Sequence, residues 1–418
     1  MKRNCLFMLV DCLRADKCWG NTRTAKTATI DSLCERGTTF TQAIATTTTT
    51  TPSVSSILTG LSPLTHGVRS LHGYKLNYRI KTLAQILKEN GYNTYAEVTG
   101  PLGPEVGLSK GFDEYNLRTR DNGVYSSWYE LLLRKFLNKE FKEPWFIFLH
   151  FFELHHPRSL HHKYHKADFG ANTYERALSS LDASLGELVR YVDDDTVIVL
   201  HGDHGERIAQ TMLQEYPLRL TNYLLTLLKR RLGFRGRNTL QLLGHGFHVY
   251  DYLVRVPLVF VGKGIFPENR WISEQVRQID IAPTIIEALK LGYPSNHLPK
   301  LHLPAEICGR SLLPLLEDQS WEEVSAYCEA CGVTLGDIGE WLAAIRTPRY
   351  KYICKPYSNY PWEELYDLKN DPQEKRNLIA VAPEVAQELR KQLEKIRRAS
   401  EEGQIREGIR KLKDSGRL

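Results

Sequence analysis

Short strand-like runs alternate with longer segments of helical apolar spacing along the N-terminal half of this chain, and that alternation is its strongest constraint on fold. The runs are CLFMLV at 5–10, YNTYAEV at 92–98, WFIFLHFF at 145–152 and TVIVLHGDHG at 196–205. Between them lie TIDSLCERG, TLAQILKENG and YERALSSLDASLGELVRYV, whose apolar residues recur at helical spacing. Uninterrupted apolar strands are buried on both faces. The pattern therefore predicts an α/β fold, a mostly parallel central sheet flanked by helices. In such sheets ligands bind beyond the carboxyl ends of the strands. Asp11, His155 and Asp203 each fall just past a predicted strand end, so three distant segments are expected to converge on one edge.

A chain of 418 residues buries a large core plus a smaller one, which predicts two unequal domains. The catalytic domain is expected at 1–290, with a basic insertion at 207–244 carrying the helically spaced TNYLLTLLKRRL. A small C-terminal α+β subdomain is expected at 291–382, and a charged, solvated helical tail at 383–418. The net charge of +6 is spread rather than gathered in one tract, which suits a small anionic substrate and not a dedicated nucleic-acid binder. The apolar run at 6–10 is too short for a signal-peptide core, and no window reaches the length of a bilayer span, so a soluble, cytoplasmic protein is expected. The eight cysteines are then read as reduced thiols, and the lone CxxC at Cys328 and Cys331 as a loop coincidence, not a zinc site.

The threonine run at 46–51 leads through Pro52 into the helical SVSSILTG, which places a threonine hydroxyl near a helix N-terminus. Free backbone N–H groups and the helix dipole favour anions there, and a metal or base would make the hydroxyl a nucleophile. Helix capping is the plainer reading of the run taken alone. HGDHGE supplies Asp203 and His204 directly after an apolar strand, as Asp11 follows the first, and two carboxylates with an imidazole suit a divalent cation.

VDCLRAD, TTPSVSSILTGLSPLTHGV, HGDHGE, YDYLVRVPLVFVGKG, QIDIAPTIIEAL, GRSLLPLL, RTPRYKYI and ELYDLKNDPQEKRNL, in that order, resemble the sulfatase family of the alkaline phosphatase superfamily nearly end to end. The resemblance implies an alkaline-phosphatase-like fold. It implies Asp11, Asp203, His204 and Thr50 as metal ligands, with Thr50 at the nucleophile position of the C/S-x-P-S-R pattern and Thr51 as its neighbour. His155 and His245 are implied as catalytic histidines that protonate the leaving group or contact substrate oxygens; with Glu153 they are also a candidate second metal site. His156, His161, His162 and His165 are read as hydrogen-bonding loop residues, His66 and Arg69 as structural, and Arg14 and Asp16 as a pair.

Four departures from the family pattern bear on chemistry. Thr50 stands where sulfatases carry the Cys or Ser converted to formylglycine, and Val54 replaces the family arginine. Cys12 stands where many sulfatases have a second carboxylate, and Thr99 and Pro101 replace a lysine and a histidine. A threonine nucleophile resembles the phosphodiesterase and phosphonate-ester hydrolase relatives. The expectation is a metal-dependent ester hydrolase that cleaves phosphodiester or phosphonate monoester substrates through a phospho-threonine intermediate. Sulfuric ester hydrolysis and phospho-alcohol transfer are the alternatives. One divalent ion (Mn, Mg, Ca or Zn) is expected, a second is left open, and the oligomeric state is unread.

Overall fold

The computed structural model describes residues 2–211, 244–292, 305–317, 321–332, 340–360 and 362–414, with scattered positions between 213 and 224. Its centre is a nine-stranded sheet formed by β1 (Cys5–Val10), β2 (Gly37–Ile44), β3 (Asn93–Thr99), β4 (Glu114–Arg118), β5 (Trp145–Phe151), β6 (Val197–Gly202), β7 (Arg255–Val261), β8 (Arg270–Ile272) and β9 (Val276–Arg277). The order is β4-β3-β5-β1-β6-β7-β2-β8, with β9 also on β2. Every strand pair is parallel except those made by β7, which is antiparallel to both β6 and β2.

The three central strands β1, β5 and β6 are buried along their whole length, as their uninterrupted apolar sequences demand. Phe7, Leu9, Phe148 and Val199 pack into the core on one face, under the helices Thr50–Thr59 and Leu83–Glu89. Leu6, Met8, Leu149 and Leu200 pack into the other, under the helices Ala28–Glu35 and Thr173–Val189. The reversal of β7 has a positional consequence. Because β6 and β7 run in opposite directions, the connection between them starts and ends at the same edge of the sheet, the carboxyl edge of β1, β5 and β6. The predicted insertion at 207–244 belongs to this connection and lies for the most part outside the described residues. Its ends are pinned together, with Arg207 N–H donating to Gly244 O (2.9 Å) and Gly244 N–H to Arg207 O (3.0 Å).

A second, antiparallel sheet follows in the order β10 (Ala326–Ala330), β11 (Leu342–Arg346), β12 (Tyr350–Cys354), β13 (Glu363–Asp367). Beneath it Lys351 is fully buried between Asp251 and Glu374, with Arg346 on Asp251 at 2.8 Å, so the charges are paired where burial would otherwise be costly. The helix Pro383–Asp414 corrects the expectation of a wholly solvated tail. Ala386, Leu389, Leu393 and Ile396 recur on one helical face and bury against Tyr327, Ile345, Tyr352 and Leu365 of the second sheet. The many charges around these four residues hid a narrow apolar stripe. The second sheet also reaches the main one: Glu329 N–H donates to Thr46 O (2.9 Å), and Arg69 forks onto Glu329 at 3.0 and 2.7 Å while lying over the Trp341 ring. Among the described residues no helix is long and apolar enough to cross a membrane, and all eight cysteines are free.

Candidate active site

Asp11 leaves β1 with its N–H still donating to Phe151 O of β5 (2.9 Å), so the sheet ladder itself aims the residue at the carboxyl edge. Cys12, next in the chain, takes a left-handed backbone (φ 61°), a costly conformation for a residue other than glycine. That turn gives its N–H to Asp203 Oδ1 (3.0 Å) and its carbonyl to the Tyr174 hydroxyl (2.8 Å). Asp203 and His204 leave β6, and Asp203 Oδ1 also accepts the His204 N–H at 2.7 Å. Gly205 is needed beside them, because a Cβ there would stand 2.1 Å from Tyr252 O.

Thr50 opens the helix Thr50–Thr59, and its hydroxyl lies 3.0 Å from Asp11 Oδ2 and 3.3 Å from His204 Nε2. Thr51 turns away, donating to Pro101 O at 2.7 Å, so geometry separates the two candidate threonines. The helix is locked to the Asp203 turn from below. Ser53 Oγ donates to Asp203 O (2.7 Å), Gln278 Nε2 donates to the same oxygen (2.9 Å), and Gln278 also contacts His201 Nε2 at 3.1 Å.

The structure thus brings Asp11, Thr50, Asp203 and His204 together, all buried, and one ligand atom from each of Asp11, Asp203 and His204 lies within 4.8 Å of the others. Asp11 Oδ1 and Asp203 Oδ2 are buried without a hydrogen-bond partner. Leaving such oxygens bare costs on the order of 1–3 kcal/mol each, more when charged. A divalent cation between them would remove that cost, and two carboxylates with an imidazole are a donor set that such an ion accepts. Burial alone would raise the Asp11 carboxyl, but His150, His155 and His204 around it prevail and hold it well below the usual range. Burial and the nearby Asp11 charge push Asp203 well up.

Sequence reasoning missed His150. It sits inside β5, fully buried, and its Nε2, 3.6 Å from Asp11 Oδ2, has no hydrogen-bond partner. In an apolar strand it reads as core, and no spacing marks it. His150, His155, His204 and His245 share one feature. Each Nδ1 faces a backbone carbonyl, Thr99 O at 3.2 Å, His156 O at 2.9 Å, Gly205 O at 2.9 Å and Thr48 O at 3.2 Å respectively. A proton on Nδ1 leaves the lone pair on Nε2, the tautomer required of a ligand or base. The His204 and His245 rings are 4.4 Å apart and those of His155 and His245 5.2 Å. Burial lowers all three pKa values, with the His204 charge helping to bring His245 to about 4.

Glu153 is not with them. Its Oε1 accepts the Val124 N–H at 2.8 Å, and no ligand group among the described residues joins it to His155 and His245. Its second oxygen, Oε2, is buried without a hydrogen-bond partner, so the backbone of the neighbouring loop holds only one side of the carboxylate. The second group that does form is Cys12, His204 and His245. His156, His161, His162 and His165 lie in the exposed loop, and Arg14 pairs with Asp16 at 2.8 Å.

The sulfatase family model matches residues 3–291, and the model described as "N-sulphoglucosamine sulphohydrolase, C-terminal" matches 245–399. The chain belongs to the sulfatase family. It is 23% identical to an ulvan-active sulfatase of Formosa agariphila over 87% of this chain and 72% of that one. It is 26% identical to arylsulfatase K of Canis lupus familiaris over 53% of this chain but only 36% of that one, so the match spans about a third of that relative. Among solved structures, a phosphonate monoester hydrolase of Agrobacterium radiobacter superposes with a TM-score of 0.72 at 21% identity, covering 96% of both chains. A 2-O GAG sulfatase superposes with a TM-score of 0.71 at 18% identity, covering 96% and 93%. The fold is that of the alkaline-phosphatase-like sulfatases.

Proposed function

We propose that this sulfatase-family hydrolase cleaves phosphodiester or phosphonate monoester substrates with Thr50 as its nucleophile and a divalent cation held by Asp11, Asp203 and His204. The observation that carries the reading is the Thr50 hydroxyl at a helix N-terminus, 3.0 Å from Asp11 Oδ2, in place of the formylglycine precursor. A threonine hydroxyl cannot be converted to an aldehyde, whereas it forms a phosphate ester directly. When bound, the cation lowers the pKa of the hydroxyl and offsets charge growing on the phosphoryl oxygens.

The chain's own groups supply the rest. The Thr50 hydroxyl points its proton at Asp11 Oδ2, and its oxygen attacks phosphorus as the bond to the leaving alcohol oxygen breaks. The amides at the start of the helix Thr50–Thr59 and its dipole favour the anion. The departing alkoxide takes up the proton that Thr50 gives up at Asp11 Oδ2. Water then attacks phosphorus as the bond to Thr50 oxygen breaks; Nε2 of His155 or His245 accepts the water's proton and returns it to the Thr50 oxygen, which restores the starting protonation. Their lowered pKa values keep both rings neutral near pH 7, ready for that role.

Sulfuric ester hydrolysis is the second reading, favoured by the names of relatives such as the ulvan-active sulfatase and arylsulfatase K. Matched aryl phosphodiester, phosphonate, phosphomonoester and sulfate substrates separate the two when assayed before and after metal stripping. The expected result is metal-dependent phosphorus-ester turnover that falls at least about a thousand-fold in Thr50→Ala. Sulfate turned over faster by a wide margin would establish the second reading, and unchanged turnover in Thr50→Ala would remove Thr50 from the mechanism.

A further inference from the structure

Phe152 and His155, in the turn that follows β5, stack with ring centres 4.3 Å apart and planes 13° from parallel. The turn is closed by His155 N–H donating to Phe152 O (3.1 Å). The Phe152 ring lies so close to Gly100 that a Cβ there would stand 2.9 Å from it, which confines the ring from the side of the loop after β3. Arg120, exposed in the loop after β4, reaches across to this turn. Its Nη2 donates to His155 O (2.9 Å) and to Pro157 O, its Nη1 donates to His156 O (3.3 Å), and its guanidinium lies over the Phe152 ring at 5.4 Å. In return Glu153 Oε1 of the turn accepts the Val124 N–H of the Arg120 loop (2.8 Å). Loop and turn are thus tied in both directions.

From this geometry we infer that Arg120 is a positioning residue, which holds His155 at the reaction centre through three main-chain carbonyls and the Phe152 ring. The inference rests on the reading above in which His155 carries a proton. A proton carrier must meet its partner within hydrogen-bond reach, so a ring that drifts by about an ångström loses much of its use. His155 stands four residues past the end of β5, and the sheet ladder that aims Asp11 does not aim it. Arg120 supplies that hold from outside the sheet. The carbonyl of His156 matters most, because it faces His155 Nδ1 at 2.9 Å and also accepts from Arg120. The acceptor that leaves the lone pair on His155 Nε2 is therefore itself fixed by the guanidinium. A planar fork of donors can serve several neighbouring carbonyls at once, whereas a lysine ammonium is a single point charge on a flexible stem.

The test is a double-mutant cycle on the full-length protein with divalent metal present, read as kcat and KM on whichever aryl phosphodiester, phosphonate or sulfate it turns over fastest. Arg120→Met is expected to lower kcat roughly ten- to hundred-fold with KM changed less than about two-fold. Arg120→Lys is expected to lose nearly as much, since its ammonium cannot span the three carbonyls. In the His155→Ala background the same Arg120→Met change is expected to cost less than about two-fold, because no ring is left to position. Equal losses with and without the His155 ring, full turnover in both Arg120 variants, or wild-type turnover in His155→Ala would each overturn the inference. Thr50→Ala assayed in parallel keeps the two readings apart. Turnover that does not need Thr50 overturns the nucleophile, while the coupling between Arg120 and His155 stands or falls on its own cycle.

Discussion

Four imidazoles gather near one carboxylate, and each turns its Nδ1 to a backbone carbonyl so that Nε2 faces inward. Asp11 and His204 were legible in the sequence because each follows a strand end, where α/β sheets place their ligands. His150 was not, because a histidine inside WFIFLHFF has the hydrophobic period of core and its partner Asp11 arrives from a strand 139 residues earlier by number. Its position predicts a specific effect. His150→Ala removes the ring closest to Asp11 Oδ2 outside the ligand group, and metal affinity is expected to fall roughly 10- to 100-fold, as loss of outer partners does elsewhere. Titration of the stripped protein with Zn²⁺ or Mn²⁺ measures it; an unchanged affinity would make His150 a packing residue only.

At the scale of the element, the helix Thr50–Thr59 is held by a buried polar chain. Val68 N–H donates to His66 Nδ1 (3.1 Å), so His66 Nε2–H donates to Ser56 Oγ (3.0 Å), and Thr46 Oγ1 donates to the same Ser56 oxygen (2.8 Å). Burial brings the His66 pKa down to about 3. The sign follows from the unfolded chain, where the ring titrates near its ordinary value of ~6.5 and binds its proton first as pH falls. The His66 contribution is therefore fully present above ~6.5 and is lost at ~1.4 kcal/mol per pH unit as pH falls toward 3. Urea midpoints between pH 7 and pH 5 are expected to fall less steeply in His66→Gln than in the wild type. Equal slopes would show that the ring is not buried neutral. Helices and strands themselves were largely readable, since TIDSLCERG and TLAQILKENG form helices and CLFMLV and TVIVLHG form strands. The tail was misread because Ala386, Leu389, Leu393 and Ile396 are scattered among many charges, and only the second sheet beneath them reveals one continuous face.

Across the whole molecule, a single reversed strand organises the site. With β7 antiparallel to β6, the chain between them returns to the edge it left, which is why His245 meets His204 although their numbers differ by 41. Alternating strands and helices made the parallel core predictable, whereas the reversal leaves no mark in apolar periodicity, because RVPLVFV reads the same in either direction. The second sheet meets the same edge through Thr46 and Glu329, at the start of the threonine run. In the proposed reaction Thr50 carries the transferred group, and peptide mass spectrometry of enzyme quenched during turnover of an aryl phosphodiester or phosphonate tests this directly. A substrate-derived phosphoryl or phosphonyl adduct is expected on Thr50, absent from the metal-stripped protein and from Thr50→Ala. An adduct on Thr51 or another residue, or full turnover with Thr50 unmodified throughout, would contradict it.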